Sequence, residues 1–203
     1  MEVLETMLFR EQKQDYDLIV EEYFGIIKGK EKLVFIKTGK GGTYRGYEDK
    51  YSKIACDIYK MTGYSVAVSS NPVEYGCDLG LEIEYVSGFL DDYEEIIFIG
   101  ISNGAQIGAE QGYKIRAIKK MLLINGPLMI NFYKTKKGIN EFKGIEVLFV
   151  YGKMDPSYKY VELLNTIDND KCSYIVLDNV DHNFSKNIDT FIKLVVEFVI
   201  RKA

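Results

Sequence analysis

The pattern of hydrophobic and polar positions changes at about residue 33. Before this point, two stretches rich in strand-forming residues, 3–9 and 18–27, flank a polar run at 10–17. This pattern predicts an antiparallel pair of strands at the edge of a sheet. From Leu33 onward, short apolar runs alternate with longer segments of helical periodicity, an order that is typical of a mostly parallel sheet.

The alternation continues to the end of the chain. The predicted strands lie at residues 33–36, 64–68, 95–101, 121–124, 145–150 and 174–177. The predicted helices lie at residues 47–61, 79–93, 103–118, 131–142, 156–167 and 183–200. The last helix has apolar residues at helical spacing from Phe184 to Val199, so we expect it to cover one face of the sheet. The sequence therefore predicts a single α/β domain over residues 1–203, with helices on both faces of a central sheet.

Length and charge exclude several classes of partner. The chain has 203 residues, a net charge of −4 and a pI of about 5.2, so it lacks the basic field that would hold a nucleic acid. Its longest apolar runs fall far short of the roughly 20 residues that span a bilayer. Because the segment 1–5 is acidic where a signal peptide would be basic, we expect a cytoplasmic protein without a membrane partner.

The cysteines give no sign of a disulfide framework or a zinc site. Cys56, Cys77 and Cys172 are odd in number and widely spaced along the chain. This arrangement suits reduced thiols, which agrees with the cytoplasmic location expected from the N-terminus.

The strongest candidate for chemistry lies where the apolar run 96–99 gives way to small residues. The sequence Gly100-Ile101-Ser102-Asn103-Gly104 matches G-x-S-x-G, the pattern of a nucleophile elbow between a strand and a helix. A serine at so sharp a turn has strained backbone and close neighbours, and the two glycines relieve the crowding. Gly108 and Gly112 continue a smooth helix face that can lie close to a sheet. In the alternative interpretation, Ser102 only caps a helix.

A hydroxyl nucleophile needs a base within hydrogen-bond reach and a third group that orients this base. His182 is the one histidine of the chain and follows the predicted strand 174–177. Side chains that follow parallel strands collect at one edge of the sheet. We therefore expect His182 to lie at the same edge as Ser102.

The acid is predicted to be Asp155, which follows the strand 145–150. With the proline after it, Asp155 also fits a helix N-cap, and the two roles are compatible. Asp178 and Asp181 are rivals, but each lies within four residues of the histidine. Local geometry rarely lets a side chain support the imidazole of so near a neighbour, so Asp155 is favoured.

In the chain order Ser102, Asp155, His182, this set resembles the α/β-hydrolase superfamily of serine hydrolases, over nearly the whole chain from about residue 33. The resemblance implies an α/β-hydrolase fold and a catalytic triad of these three residues, without a metal or a cofactor. It also implies an oxyanion hole formed by two backbone N–H groups, those of Asn103 and Lys40.

The loop that carries Lys40 departs from the family pattern. Many relatives begin this loop with His-Gly, whereas here it reads Thr38-Gly39-Lys40-Gly41-Gly42. A small shift of register would bring the N–H of Gly39, Gly41 or Gly42 to the oxyanion instead. The loop does not match a P-loop either, because glycine follows Gly39-Lys40 where serine or threonine is needed.

The segment between the predicted strands 121–124 and 145–150 has room for one short helix, so we expect little or no cap over the site. Candidate substrate contacts are Leu128, Met129, Ile130, Phe132 and Tyr133 on this segment, and Tyr44, Arg45 and Tyr47 after the glycine-rich loop. The predicted function is hydrolysis of a small or medium carboxylic ester or thioester through an acyl-serine. Alternatives are an amidase or acyltransferase with the same triad, or a non-catalytic binding module that keeps the fold.

Overall fold

The computed structural model describes residues 2–13, 17–72 and 76–201. Its strands are β1 (Leu4–Lys13), β2 (Asp17–Ile27), β3 (Lys32–Lys37), β4 (Ser65–Ser69), β5 (Glu95–Ile101), β6 (Ile118–Ile124), β7 (Glu146–Gly152) and β8 (Cys172–Leu177). They form one sheet of eight strands in the order β1-β2-β4-β3-β5-β6-β7-β8. β1 pairs antiparallel with β2, and β2 pairs antiparallel with β4. The other pairs are parallel, which confirms the predicted sheet and its antiparallel edge.

The N-terminal hairpin is longer than predicted. Its strands pair from Leu4 with Ile26 to Lys13 with Asp17, so both continue into the polar run that was expected to separate them. The two strands of an edge hairpin are joined by backbone hydrogen bonds, which polar residues form as well as apolar ones, so the polar run does not interrupt the pairing. The rest of the predicted separator, residues 14–16, lies outside the described residues.

The helices are α1 (Lys50–Thr62), α2 (Leu79–Ser87), α3 (Asn103–Gln111), α4 (Phe132–Glu141) and α5 (Ile188–Ile200). Short 3₁₀ helices occupy Tyr47–Asp49 and Gly112–Lys114, and a longer one occupies Pro156–Thr166. α1 and α5 share an apolar core with Val34 and Ile36 of β3. α2, α3 and α4 share another with Leu33 and Phe35, the alternate residues of the same strand. Because both faces are covered, the parallel strands read as continuous apolar runs.

Two helices end earlier than predicted, and in each case a glycine follows the last helical residue. α2 was expected to reach residue 93 but ends at Ser87, before Gly88. α3 was expected to reach residue 118 but ends at Gln111, before Gly112, and β6 begins at Ile118. Glycine has a low helix propensity, and at Gly112 the chain continues as the 3₁₀ helix Gly112–Lys114.

The last helix begins at Ile188, five residues later than the predicted start at residue 183. The carboxylate of Asp181 accepts hydrogen bonds from the backbone N–H groups of Asn183 and Ser185. These bonds build a turn that competes with the helix, and Phe184 within it has a positive φ of 56°. Phe184 is nevertheless buried, so its predicted place in the core is correct.

The segment between β6 and β7 contains α4, which packs against α3 rather than over the edge of the sheet. A Cβ atom on Gly138 of α4 would overlap the carbonyl oxygen of Ala109 of α3, so the two helices are in close contact. The expectation of a minimal cap is confirmed. No helix in the described part of the chain is long and apolar enough to cross a membrane.

Candidate active site

Ser102 occupies the turn between β5 and α3 with φ of 53° and ψ of −119°. A non-glycine residue with positive φ is strained, and such strain is common at functional turns. A Cβ on Gly100 would lie 2.6 Å from the Cα of Ala105, and one on Gly104 would overlap the carbonyl oxygen of Lys37. Both glycines are therefore required by close backbone contacts, as the sequence pattern suggested.

The structure brings His182 and Asp155 to Ser102. The imidazole Nε2 of His182 lies 2.9 Å from the Ser102 Oγ, and its Nδ1 is hydrogen-bonded to the Asp155 Oδ2. A carboxylate only accepts hydrogen bonds, so in the neutral imidazole Nδ1 carries the proton and Nε2 accepts from the serine hydroxyl. We call these three residues the serine cluster.

Asp155 combines the two roles that the sequence allowed. Its carboxylate is buried, and Oδ1 accepts a hydrogen bond of 2.6 Å from the backbone N–H of Ser157, at the start of the 3₁₀ helix. The other oxygen faces the imidazole. The rival acids are engaged elsewhere, since Asp178 forms an ion pair with Lys153 and Asp181 forms the turn before α5.

Asn125, which no sequence pattern marked, joins the two loops that carry His182 and Asp155. It follows β6, is fully buried and has φ of 48°. Its side-chain NH₂ donates to the backbone carbonyls of Asp181 and His182, and its side-chain oxygen accepts from the N–H of Gly152. This amide connects the backbone of the loop that carries His182 to the end of β7, where the loop of Asp155 begins.

Asn71 has a similar position on the other side of Ser102 and was also missed. It is buried, and its side-chain NH₂ donates to the carbonyl of Thr38 and to the side-chain oxygen of Asn103. Its backbone N–H donates to the carbonyl of Gly42, and its carbonyl accepts from the backbone N–H of Gly41. Asn71 therefore holds the glycine-rich loop against the first residue of α3.

These contacts reduce the number of possible oxyanion donors. The N–H groups of Gly41 and Gly42 are already hydrogen-bonded within or across the loop. In the described part of the chain, the backbone N–H of Lys40 donates to no backbone carbonyl. The same is true of the N–H of Asn103, which is the first residue of α3, so both groups are free of backbone partners. The loop lies close to the nucleophile, because a Cβ on Gly39 would be 3.1 Å from the Cβ of Ser102.

A cavity of about 440 Å³ opens beside Ser102 and His182. It is bounded by the glycine-rich loop, by the beginning of α1 and by aromatic rings near α5. The other lining residues are Gly39, Lys40, Gly41, Gly42, Thr43, Gly46, Tyr47, Lys50, Tyr51, Ile101, Asn183, Phe184 and Phe191.

Of the candidate substrate contacts, Tyr47 lines this cavity, and the others do not. Tyr44 packs its ring against Gly25, and Arg45 forms an ion pair with Glu5. Leu128 is buried in the core, whereas Met129 is exposed. The cavity lies on the α1 and α5 side of Ser102, where Lys50 and Tyr51 of α1 and Phe191 of α5 line it.

A second polar cluster lies at the same edge of the sheet, at the end of β3. The ammonium of Lys37 is fully buried and donates to Glu22 at 2.6 Å, to Glu82 at 2.9 Å and to the Ser69 hydroxyl at 3.0 Å. It also contacts the carbonyl of Ser70. We call Lys37, Glu22, Glu82 and Ser69 the lysine cluster.

Two carboxylates share one cation in the lysine cluster. Burial, and then the charge of Glu82, raise the pKa of Glu22 to about 7. The pKa of Glu82 is lowered, because the charge of Lys37 and hydrogen bonds outweigh the effect of its burial. As the pH rises, Glu82 is therefore expected to lose its proton before Glu22 does. Among the described residues, no group of three or more histidine, cysteine, aspartate or glutamate side chains could hold a metal ion.

Comparison with known proteins finds similarity at the level of structure. No family model matches the sequence, and no curated protein sequence matches it. Est1E from Butyrivibrio proteoclasticus superposes with a TM-score of 0.70 at 14% identity, covering 96% of this chain and 97% of that one. An α/β serine hydrolase homologue from Coxiella burnetii has a TM-score of 0.67 at 16% identity, with coverage of 93% and 99%.

Dienelactone hydrolase from Anabaena variabilis is also similar in structure over nearly the whole of both chains. Its TM-score is 0.66 at 11% identity, with coverage of 98% of this chain and 97% of that one. These identities are too low to transfer an activity, but the coverage extends over the whole sheet and its helices. The chain therefore has the α/β-hydrolase fold.

Proposed function

We propose that this chain is a serine hydrolase that cleaves a carboxylic ester or thioester through an acyl-serine intermediate. The observation that carries the proposal is the hydrogen-bonded chain from the Ser102 Oγ through His182 to Asp155, at a strained turn beside an open cavity. A hydroxyl needs an oriented base to act as a nucleophile, and this arrangement supplies one. The hydrolase neighbours of the same fold agree with this reaction class.

In the first half-reaction, the Ser102 Oγ attacks the acyl carbonyl carbon while Nε2 of His182 takes the hydroxyl proton. The carbonyl oxygen becomes an oxyanion, for which the backbone N–H groups of Asn103 and Lys40 are the proposed donors. Each such donor contributes on the order of 3 kcal/mol in the transition state. The bond to the leaving oxygen or sulfur then breaks, and the imidazolium gives its proton to the leaving group.

In the second half-reaction, water replaces the alcohol or thiol. The water oxygen attacks the carbonyl carbon of the acyl-serine while His182 accepts a proton from the water. His182 then gives this proton to the Ser102 Oγ as the carboxylic acid is released. Asp155 keeps the Nδ1 proton of the imidazole pointing away from the serine and stabilises the imidazolium. In both half-reactions, the nucleophile Ser102, the base His182 and the orienting acid Asp155 are side chains of this chain.

Labelling with a fluorophosphonate tests the nucleophile without knowledge of the substrate. We expect Ser102 to form a covalent adduct in the wild-type protein, and Ser102→Ala to lose it. Ser173→Ala, which changes an exposed serine on β8, is the matched control and keeps the label. If the folded wild-type protein is not labelled, or if Ser102→Ala is labelled equally, the proposal is wrong. Labelling without any ester hydrolysis would instead favour an amidase or an acyltransferase.

A further inference from the structure

The charged side chains around the cavity beside Ser102 are basic. Lys40 and Lys50 line it, and no aspartate or glutamate among the described residues does so. The chain as a whole has 30 acidic and 26 basic side chains. The wall of the cavity therefore has the opposite charge to the average of the molecule.

Lys50 is held at this wall by aromatic rings. It is the first residue of α1 and is half-buried. Its Nζ lies 5.2 Å from the centre of the Tyr51 ring and 5.1 Å from that of Phe191. Both distances are within the range of cation–π contacts. The rings fix the ammonium in place, but they do not neutralise its charge.

Three other lysines that are partly or fully buried have carboxylate partners. Lys37 pairs with Glu22 and Glu82, Lys32 with Glu95, and Lys120 with Glu146. In the described part of the chain, no carboxylate lies within 4.0 Å of the Lys50 ammonium.

Lys50 is a partly desolvated cation that makes no direct contact with a carboxylate among the described residues. Burial lowers the pKa of Lys50, and the charge of Asp181 offsets this only in part. The carboxylate of Asp181 is itself engaged by the N–H groups of Asn183 and Ser185. An anion in the cavity would restore the interaction that the ammonium lost when it left water.

We infer that Lys50 forms a subsite for an anionic group of the substrate, so that the ester cleaved at Ser102 carries a free carboxylate elsewhere in the molecule. The inference rests on the proposed function and adds the substrate class. A carboxylate is favoured over a phosphate because, of the two lysines that line the cavity, only Lys50 is held by aromatic rings, and one ammonium matches one negative charge. The cavity volume of about 440 Å³ suits a small molecule of this kind.

A matched pair of substrates tests the subsite by turnover. Monomethyl glutarate and methyl valerate have acyl chains of equal length and differ by the terminal carboxylate. We expect the wild-type protein to hydrolyse the glutarate ester with a kcat/KM about tenfold higher, chiefly through KM, since one charge-assisted contact has this worth. The preference should fall as salt concentration rises. Succinate and adipate monoesters would measure the distance from the subsite to Ser102.

Three variants assign the preference to the ammonium. Lys50→Met keeps a stem that packs on the rings and should bring the ratio of the two kcat/KM values to about one, the loss of a roughly tenfold effect. Lys50→Arg keeps the charge and should retain the preference. Lys53→Met changes an exposed lysine on the same helix and should leave the ratio unchanged. Equal hydrolysis of both esters by the wild-type protein, or a preference that survives Lys50→Met, would overturn the inference.

Binding to the Ser102→Ala variant separates this inference from the proposed function. We expect this variant to bind monomethyl glutarate about tenfold more tightly than methyl valerate in an NMR titration, and the Ser102→Ala/Lys50→Met variant to lose the difference. If the fluorophosphonate does not label the wild-type protein but this binding difference is found, the hydrolase proposal fails and the subsite stands. If both ligands bind equally, the subsite is refuted whatever the activity.

Discussion

The serine cluster and the lysine cluster lie at the same edge of the sheet, yet their environments differ. The Lys37 ammonium has no exposed surface and donates to two carboxylates, a hydroxyl and a carbonyl. The Ser102 Oγ has His182 as its hydrogen-bond partner and borders a cavity. In the first cluster every donor of the ammonium is used. In the second, the reactive atom remains accessible.

This difference points to a structural role for the lysine cluster and a chemical role for the serine cluster. A sealed and satisfied cluster has no room for a substrate, but it can fix the backbone around it. Lys37 ends β3, its carbonyl contacts Gly104 of the elbow, and the glycine-rich loop begins at the next residue. The lysine cluster therefore anchors the loop that the proposed oxyanion hole needs, while the serine cluster is the proposed site of the reaction.

The largest expected effect on the serine cluster is that of Asp155→Asn. We expect kcat, or the rate of fluorophosphonate labelling, to fall by about 10²- to 10⁴-fold, because the amide no longer holds the imidazole in the correct tautomer. The fold should remain, since asparagine is also a good N-cap for the 3₁₀ helix. Asp178→Asn, which alters an exposed ion pair, is the control. A near-normal rate in Asp155→Asn with a collapsed rate in Asp178→Asn would move the role to Asp178.

The serine cluster could be predicted from the sequence because each of its members follows its own strand. Parallel strands bring such residues to one edge, so their order along the chain was sufficient. Asn71 and Asn125 could not be found in this way. Each precedes proline or glycine and therefore reads as an ordinary turn residue. Their roles arise when side chains from distant segments meet.

The lysine cluster and the cavity wall were hidden for a related reason. Lys37 and Glu22 lie on strands that do not pair with each other, and no local pattern marks their contact. Asn183 and Phe184 of the cavity wall lie in the turn at Asp181, which replaces the first part of the predicted last helix. Periodicity correctly placed Phe184 and Phe191 in the core, but it could not show that they also line the cavity.

In the lysine cluster, the variant Lys37→Met should lower the free energy of unfolding by about 3–5 kcal/mol, because it leaves two buried carboxylates without a cation. Urea unfolding monitored by circular dichroism measures this loss. Lys32→Met is the matched control, since its ion pair with Glu95 is about one-third exposed and should be worth less than about 1 kcal/mol. Equal losses in the two variants would contradict a special role for the sealed cluster.

The smallest expected effect is a dependence of stability on pH that is due to Glu22. Its pKa is raised from the usual 4.5 to about 7, so between these values the folded state holds a proton that the unfolded state releases. This contribution is complete below about pH 4.5 and is lost as the pH rises through about 7. It gives a slope of at most about 1.4 kcal/mol per pH unit.

Glu22→Gln should remove this contribution without disturbing the shape of the cluster, because glutamine resembles the protonated acid. We expect the variant to gain stability relative to the wild-type protein as the pH rises from 5 to 8, measured by urea unfolding at intervals of one pH unit. Glu21→Gln, on the exposed face of the same strand, is the control and should follow the wild-type curve. If the curves of Glu22→Gln and the wild-type protein run parallel, Glu22 does not hold the proton, and the two carboxylates share the lysine in another way.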